Sequence, residues 1–140
     1  MVASSNNFTL APELLADTIP LKSIGGTPLS LCYLGLMNNQ HFPWLIMVPQ
    51  QANLREIIDL SKADQHKLMD EISLVSNQMQ TIFAPHKLNV AALGNMVAQL
   101  HIHIIARNEN DAAWPNPVWG HAPTKPYDEE EKLKIINRLK

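Results

Sequence analysis

Gln99-Leu100-His101-Ile102-His103-Ile104-Ile105, with Gly94-Asn95 just ahead of it, is the stretch of this chain best equipped for chemistry. A neutral imidazole is a good nucleophile near pH 7, and the phosphoramidate it makes on attacking phosphorus is reactive enough for water to resolve. Attack on a phosphate chain also needs in-line placement, neutralised oxygens and a proton donor for the leaving group. Gln99, His101 and His103 offer a nucleophile flanked by groups able to donate. Gly94-Asn95 adds a backbone that can approach closely and an amide whose NH2 can reach an anionic oxygen. His101 and His103 could instead chelate zinc or copper. A stable site wants three or four ligands, however, and no cysteine cluster or carboxylate stands beside them. No metal or other cofactor is therefore expected. The single cysteine, Cys32, lies in an apolar run and reads as a buried thiol without an internal disulfide partner.

These residues need an element to hold them. Polar and apolar residues alternate through the stretch, which carries β-branched isoleucines and no Gly or Pro, so a half-buried strand is expected over Val97 to Arg107. Leu100, Ile102 and Ile104 then share one face, and Gln99, His101 and His103 form a row on the other. By parity Arg107 falls on the His101 side, where it can touch phosphate or stand as a plain surface arginine. Leu29 to Met37 and Trp44 to Val48 read as strands joined by a short polar turn, hence antiparallel neighbours, the second closed by Pro49. His86 to Leu93 is a further strand. The long helix starts at Ser61, with Asp64 in a capping-box position, and Pro85 stops it. Leu68, Ile72, Val75, Met79 and Ile82 or Phe83 make its apolar stripe. Pro12 to Asp17 forms one or two helical turns, Ile19-Pro20-Leu21 is extended, and Gly25 to Pro28 is a turn. Asn108 to Pro126 holds four prolines and reads as loop. Asp128 caps a last helix with Leu133, Ile136 and Leu139 inward, supported by the pairs Asp128–Lys132 and Glu130–Lys134. The expected fold is a single α+β domain over residues 1–140, with a mainly antiparallel sheet, one long helix and a C-terminal helix.

The stretch resembles the signature of the histidine-triad (HIT) superfamily of nucleotidyl hydrolases and transferases, in which three histidines alternate with apolar residues. Gln99 stands where that signature has its first histidine. The resemblance spans roughly residues 28 to 107 and is similar to bacterial dinucleoside polyphosphate hydrolase-like members. It implies that His101 attacks the α-phosphorus of a nucleotide, giving a nucleotidyl-histidine that water resolves. It also implies that His103 contacts phosphate and aids the leaving group, and that the Gln99 backbone carbonyl holds the other ring nitrogen of His101. The Gln99 side chain, unlike an imidazole, does not titrate and so cannot act as a proton carrier. Asn95 takes the place of a phosphate-binding amide, Asn89 that of a substrate-facing asparagine, and Asn38 that of a residue gripping ribose hydroxyls. Trp44 replaces a further histidine found in many members, where it can stack on a base or simply pack; His41 is not its equivalent. The family usually pairs two protomers by joining their sheets, so a homodimer is expected. Apolar residues of the 114–119 loop are the only support for it in the residues themselves.

Composition narrows the alternatives. The chain is 46% hydrophobic and 17% charged, with formal charge −2 and pI near 6.3, which argues against a general nucleic-acid or membrane-surface binder. Met1 to Asn7 lacks the basic-then-apolar pattern of a signal peptide, and Leu29 to Met37 is too short to span a bilayer. A cytoplasmic location is expected. His41, His66, His86 and His121 read as surface residues. Trp114 and Trp119 lie among prolines in a stiff loop that covers a base, covers a partner or packs on the body. The leading expectation is a nucleotide hydrolase acting on dinucleoside polyphosphates or nucleotide phosphoramidates. The alternatives are a nucleotide-binding or sensing module with little turnover, and a nucleotidyltransferase.

Overall fold

The computed structural model describes residues 7–121 and 123–140. Residues 1–6, which carry most of the stretch read for a signal peptide, and Ala122 lie outside them. The element order is α1 (Pro12–Asp17), β1 (Thr18–Leu21), β2 (Cys32–Met37), β3 (Trp44–Pro49), α2 (Lys62–Phe83), β4 (Lys87–Ala91), β5 (Ile102–Arg107) and α3 (Glu129–Leu139). The strands form one five-stranded sheet in the order β1-β2-β3-β5-β4, with every neighbouring pair antiparallel. Because β3 and β4 both run antiparallel to β5, they run parallel to each other, and α2 makes the crossover between them. This is the α+β architecture that the sequence pattern anticipates.

Alternation sorts the two faces. Leu34 and Leu36 of β2, Leu45 and Met47 of β3, and Ile102 and Ile104 of β5 pack against Leu68, Val75 and Met79 of α2 and against Ile135 and Leu139 of α3. The opposite registers, Trp44, Ile46 and Val48 on β3 and Ile105 on β5, meet Leu14 of α1 and Val118 of the long loop. β3 is buried on both faces, which is why it reads as an unbroken apolar run rather than an alternating one.

Several boundaries differ from expectation, each for a visible reason. The histidine strand starts at Ile102, not Val97, because its partner β3 ends at Pro49 and Met47↔Ile102 closes the ladder. The Leu100 amide turns away to donate to the Leu54 carbonyl. β2 starts at Cys32 rather than Leu29, since the amides of Ser30, Leu31 and Cys32 donate to the buried carboxylate of Glu71 on α2 at 2.8–3.0 Å. β4 is trimmed to Lys87–Ala91, the span that β5 can pair. α2 matches its expected span; the Ser61 hydroxyl accepts from the Asp64 amide, and Ala84 closes it in the left-handed region. The Asp64 carboxylate accepts from Gln51 instead of reaching back to the cap, so only half of the capping box forms.

On α3, Ile135 and Leu139 are buried and Ile136 half-buried, whereas Leu133 is 58% exposed. Leu133 lies about 200° around the helix from Ile135 and faces away from the core. Asp128 spends its carboxylate on the cap, accepting from the Glu131 amide, while Lys132 pairs with Glu129 and Lys134 with Glu130 and Glu131. Among the described residues, no helix is long and apolar enough to cross a membrane.

Candidate active site

His101 precedes β5 by one residue and His103 is its second, so the ladder that starts at Ile102 sets both rings at one end of the sheet. Their ring centroids lie 4.9 Å apart, and both residues are buried, 7% and 5% exposed. His101 Nδ1 lies 2.7 Å from the Gln99 backbone carbonyl. A carbonyl only accepts, so Nδ1 carries the proton and Nε2 the lone pair. His101 also walls an open cavity of about 400 Å3 lined by Arg55, Glu56, Ile57, Ile58 and Gly94. Gly94 sits at φ +80°, a backbone conformation that suits glycine and shapes the loop bounding that cavity.

His103 has a different environment. The Trp44 indole Nε1–H donates to His103 Nδ1 at 3.0 Å, and Trp119 packs edge-on to the ring at 4.9 Å. Burial, with the His101 ring beside it, holds the His103 pKa down to about 4. A buried imidazole bonded to an indole N–H and facing another imidazole has nothing nearby to compensate a charge.

The remaining expected site residues divide. The Gln99 side chain does not join the row: its Oε1 accepts from the Ala11 amide and its Nε2 donates to the Thr9 carbonyl, tying down the N-terminal segment. It diverges because residues 97–101 lie outside the strand, where parity no longer governs direction. Arg107 is 1% exposed and is neither a surface residue nor a phosphate contact in this arrangement. Its guanidinium bonds the Asp111 carboxylate twice, Asn89 Oδ1 and the Asn116 carbonyl, and lies over the Phe42 and Trp114 rings. Asn89 is thereby committed to Arg107. Asn38 accepts from the Tyr127 amide at 2.9 Å and pins the end of the long loop. Asn95 is exposed, next to the Gly94 that lines the cavity.

His41 and His121 are half-buried and meet edge to face at 5.6 Å, not solvated as expected. His66 and His86 are exposed. Val118 is buried and Trp114 and Trp119 are half-buried, while Pro115 and Pro117 of the same loop are exposed. Among the described residues, no three His, Cys, Asp or Glu side chains gather to hold a metal. The Cys32 thiol is buried, and that burial together with the Glu71 carboxylate pushes its pKa up, away from nucleophilic use.

Reading the sequence alone missed the Trp44–His103 bond and the Asp111 clamp. Asp111 stands four residues after Arg107 in a loop, a spacing that carries no signal outside a helix.

A family model, the HIT domain, matches residues 19–110, a span that includes both histidines. The chain belongs to the HIT family. Crystal structures of HIT proteins from Sinorhizobium meliloti and Marinobacter aquaeolei superpose on it with TM-scores of 0.87 and 0.88 and share 42% and 44% identity. The alignments cover 96% and 95% of this chain and 96% and 93% of theirs. A histidine triad protein from Bradyrhizobium japonicum is similar at 42% identity, with a TM-score of 0.87 and coverage of 94% of this chain and 95% of that one. No curated protein matches. Within this HIT chain, the matched span takes in Gln99, His101 and His103.

Proposed function

We propose that this HIT protein is a metal-independent nucleotide hydrolase that cleaves at the α-phosphate of dinucleoside polyphosphates or nucleotide phosphoramidates through His101. The observation that carries the reading is the hydrogen bond from His101 Nδ1 to the Gln99 carbonyl, on a ring that also walls a cavity. The bond leaves the Nε2 lone pair for phosphorus and lets the carbonyl stabilise the cationic ring that attack creates. Arg55, on the cavity wall, supplies positive charge for phosphate oxygens, and Asn95, beside Gly94, an amide donor. Gln99 contributes its main chain and not its side chain.

The test is a panel of dinucleoside polyphosphates and nucleoside phosphoramidates with wild type and His101→Gly. Wild type is expected to release mononucleotide and to form an acid-labile nucleotidyl adduct on brief reaction. The variant is expected to lose turnover by on the order of 10³-fold or more while keeping its fold. Undiminished release from the variant removes the mechanism.

A second reading, a nucleotide-sensing module with slow turnover, is favoured by the absence of a proton carrier at residue 99 and by the depressed pKa of His103. Tight AMP binding without hydrolysis of any panel member distinguishes it. A phosphorylated acceptor that increases product formation would instead mark a transferase. We further propose that the protein works as a homodimer through the open edge of β4, where Val90 is 47% exposed.

A further inference from the structure

His101 and His103 are held in opposite protonation patterns. The His101 ring donates through Nδ1 to the Gln99 carbonyl. His103 instead accepts at Nδ1 from the Trp44 indole, which can only donate. The proton of a neutral His103 therefore resides on Nε2. A second proton would have to enter at Nδ1, against the indole N–H. Among the described residues, the aromatic rings packed on the His103 ring are Trp44 from β3, Trp119 from the long loop and His101. His101 is the one titratable group among them, and it opposes a charge on His103. The other side chain in the triad, Gln99, is occupied by Thr9 and Ala11 and does not titrate.

We propose that Trp44 is a positioning residue that fixes His103 as a neutral Nε2–H donor, leaving this site without an acid for the departing group, so that turnover follows the leaving group's own acidity. The inference rests on the nucleotidyl-histidine reading above. In the first step the His101 Nε2 lone pair bonds to phosphorus. The bond from phosphorus to the leaving atom breaks, and its electron pair departs with that atom. A polyphosphate oxygen leaves as a stable anion, because phosphate esters ionise a second time near about pH 6. A hydrogen bond from neutral Nε2–H suffices to assist it. An amine cannot leave as an amide anion and must take up a proton as its bond breaks. In the second step a water oxygen bonds to phosphorus, the phosphorus–nitrogen bond breaks with its pair returning to Nε2, and the water proton passes to solvent. Trp44 thus tunes the site toward anhydride cleavage and against amine departure.

The test compares a diadenosine polyphosphate with an adenosine 5′-phosphoramidate of a simple alkylamine, in wild type and Trp44→Phe. Wild type is expected to favour the anhydride in kcat/KM by on the order of 10²-fold or more, the usual worth of a missing general acid. In Trp44→Phe, which lacks the N–H, Nδ1 becomes free to take a proton. The preference is then expected to narrow by about tenfold at low pH, and the His103 titration to move up. Nitrogen-15 spectra of wild type read the tautomer without any variant: an unprotonated His103 Nδ1, scalar-coupled across the hydrogen bond to the Trp44 indole nitrogen, is expected. A protonated Nδ1, or a phosphoramidate cleaved faster than the anhydride, overturns the proposal. Hydrolysis of neither compound overturns the nucleotidyl-histidine reading and the leaving-group half with it, while the nitrogen spectrum decides the Trp44 half on its own.

Discussion

His101 and His103 carry the same side chain two residues apart, yet the Gln99 carbonyl and the Trp44 indole give their ring nitrogens opposite duties. The alternation that sets two imidazoles near each other is plain in the residues. Which nitrogen bears the proton is not, since Trp44 lies 59 positions away and meets His103 only through the β3–β5 register. Gln99 shows the same limit in reverse. Its carbonyl meets the His101 ring as the family resemblance implies, but its side-chain amide bonds the Thr9 and Ala11 main chain, 90 and 88 positions distant. Gln99→Ala is therefore expected to keep turnover within a few-fold of wild type, because the carbonyl survives. It should cost about 1 kcal/mol of stability and speed hydrogen exchange at the Ala11 amide. A loss of turnover as large as that of His101→Gly would return the side chain to the chemistry.

At the scale of elements, two carboxylates do work that their sequence neighbourhoods do not reveal. Glu71 falls on the inward side of α2 among apolar residues and accepts three amides at the start of β2, fixing that strand to the helix. Glu71→Gln exchanges one acceptor oxygen for an NH2 facing amide donors, and is expected to cost about 2 kcal/mol in urea unfolding. Asp111 anchors the long loop through Arg107 and the amides of Asn108, Ala113 and Trp114. Burial alone would raise its pKa, but the Arg107 bond and those amides outweigh this and bring it from 3.8 to about 2. The folded value lies below the unfolded one, so the stabilisation is present above 3.8 and disappears as pH falls through about 2. Asp111→Asn should lower stability by on the order of 2 kcal/mol at pH 7, and its gap from wild type should shrink toward pH 2. A gap that stays constant across that range would refute the linkage.

At the scale of the whole molecule, the sheet has two edges, β1 and β4, and the β4 edge lies beside the histidine strand. Val90→Lys puts a charge on that edge and is expected to shift a dimer to monomer in light scattering, with little loss of fold since Val90 is already 47% exposed. A dimer unchanged by the substitution would exclude this edge. By itself the sequence determined the α+β pattern, the long capped helix with its apolar stripe, and the face that Ile102 shares with Ile104. Each of these follows from side-chain periodicity or from chemistry within a few residues. Only the tertiary structure decided where the histidine strand begins, that Arg107 is buried in a clamp, and that an indole sets the tautomer of His103. Those outcomes depend on partners tens of residues away, brought close by strand register and by the packing of a long loop, neither of which a local pattern encodes.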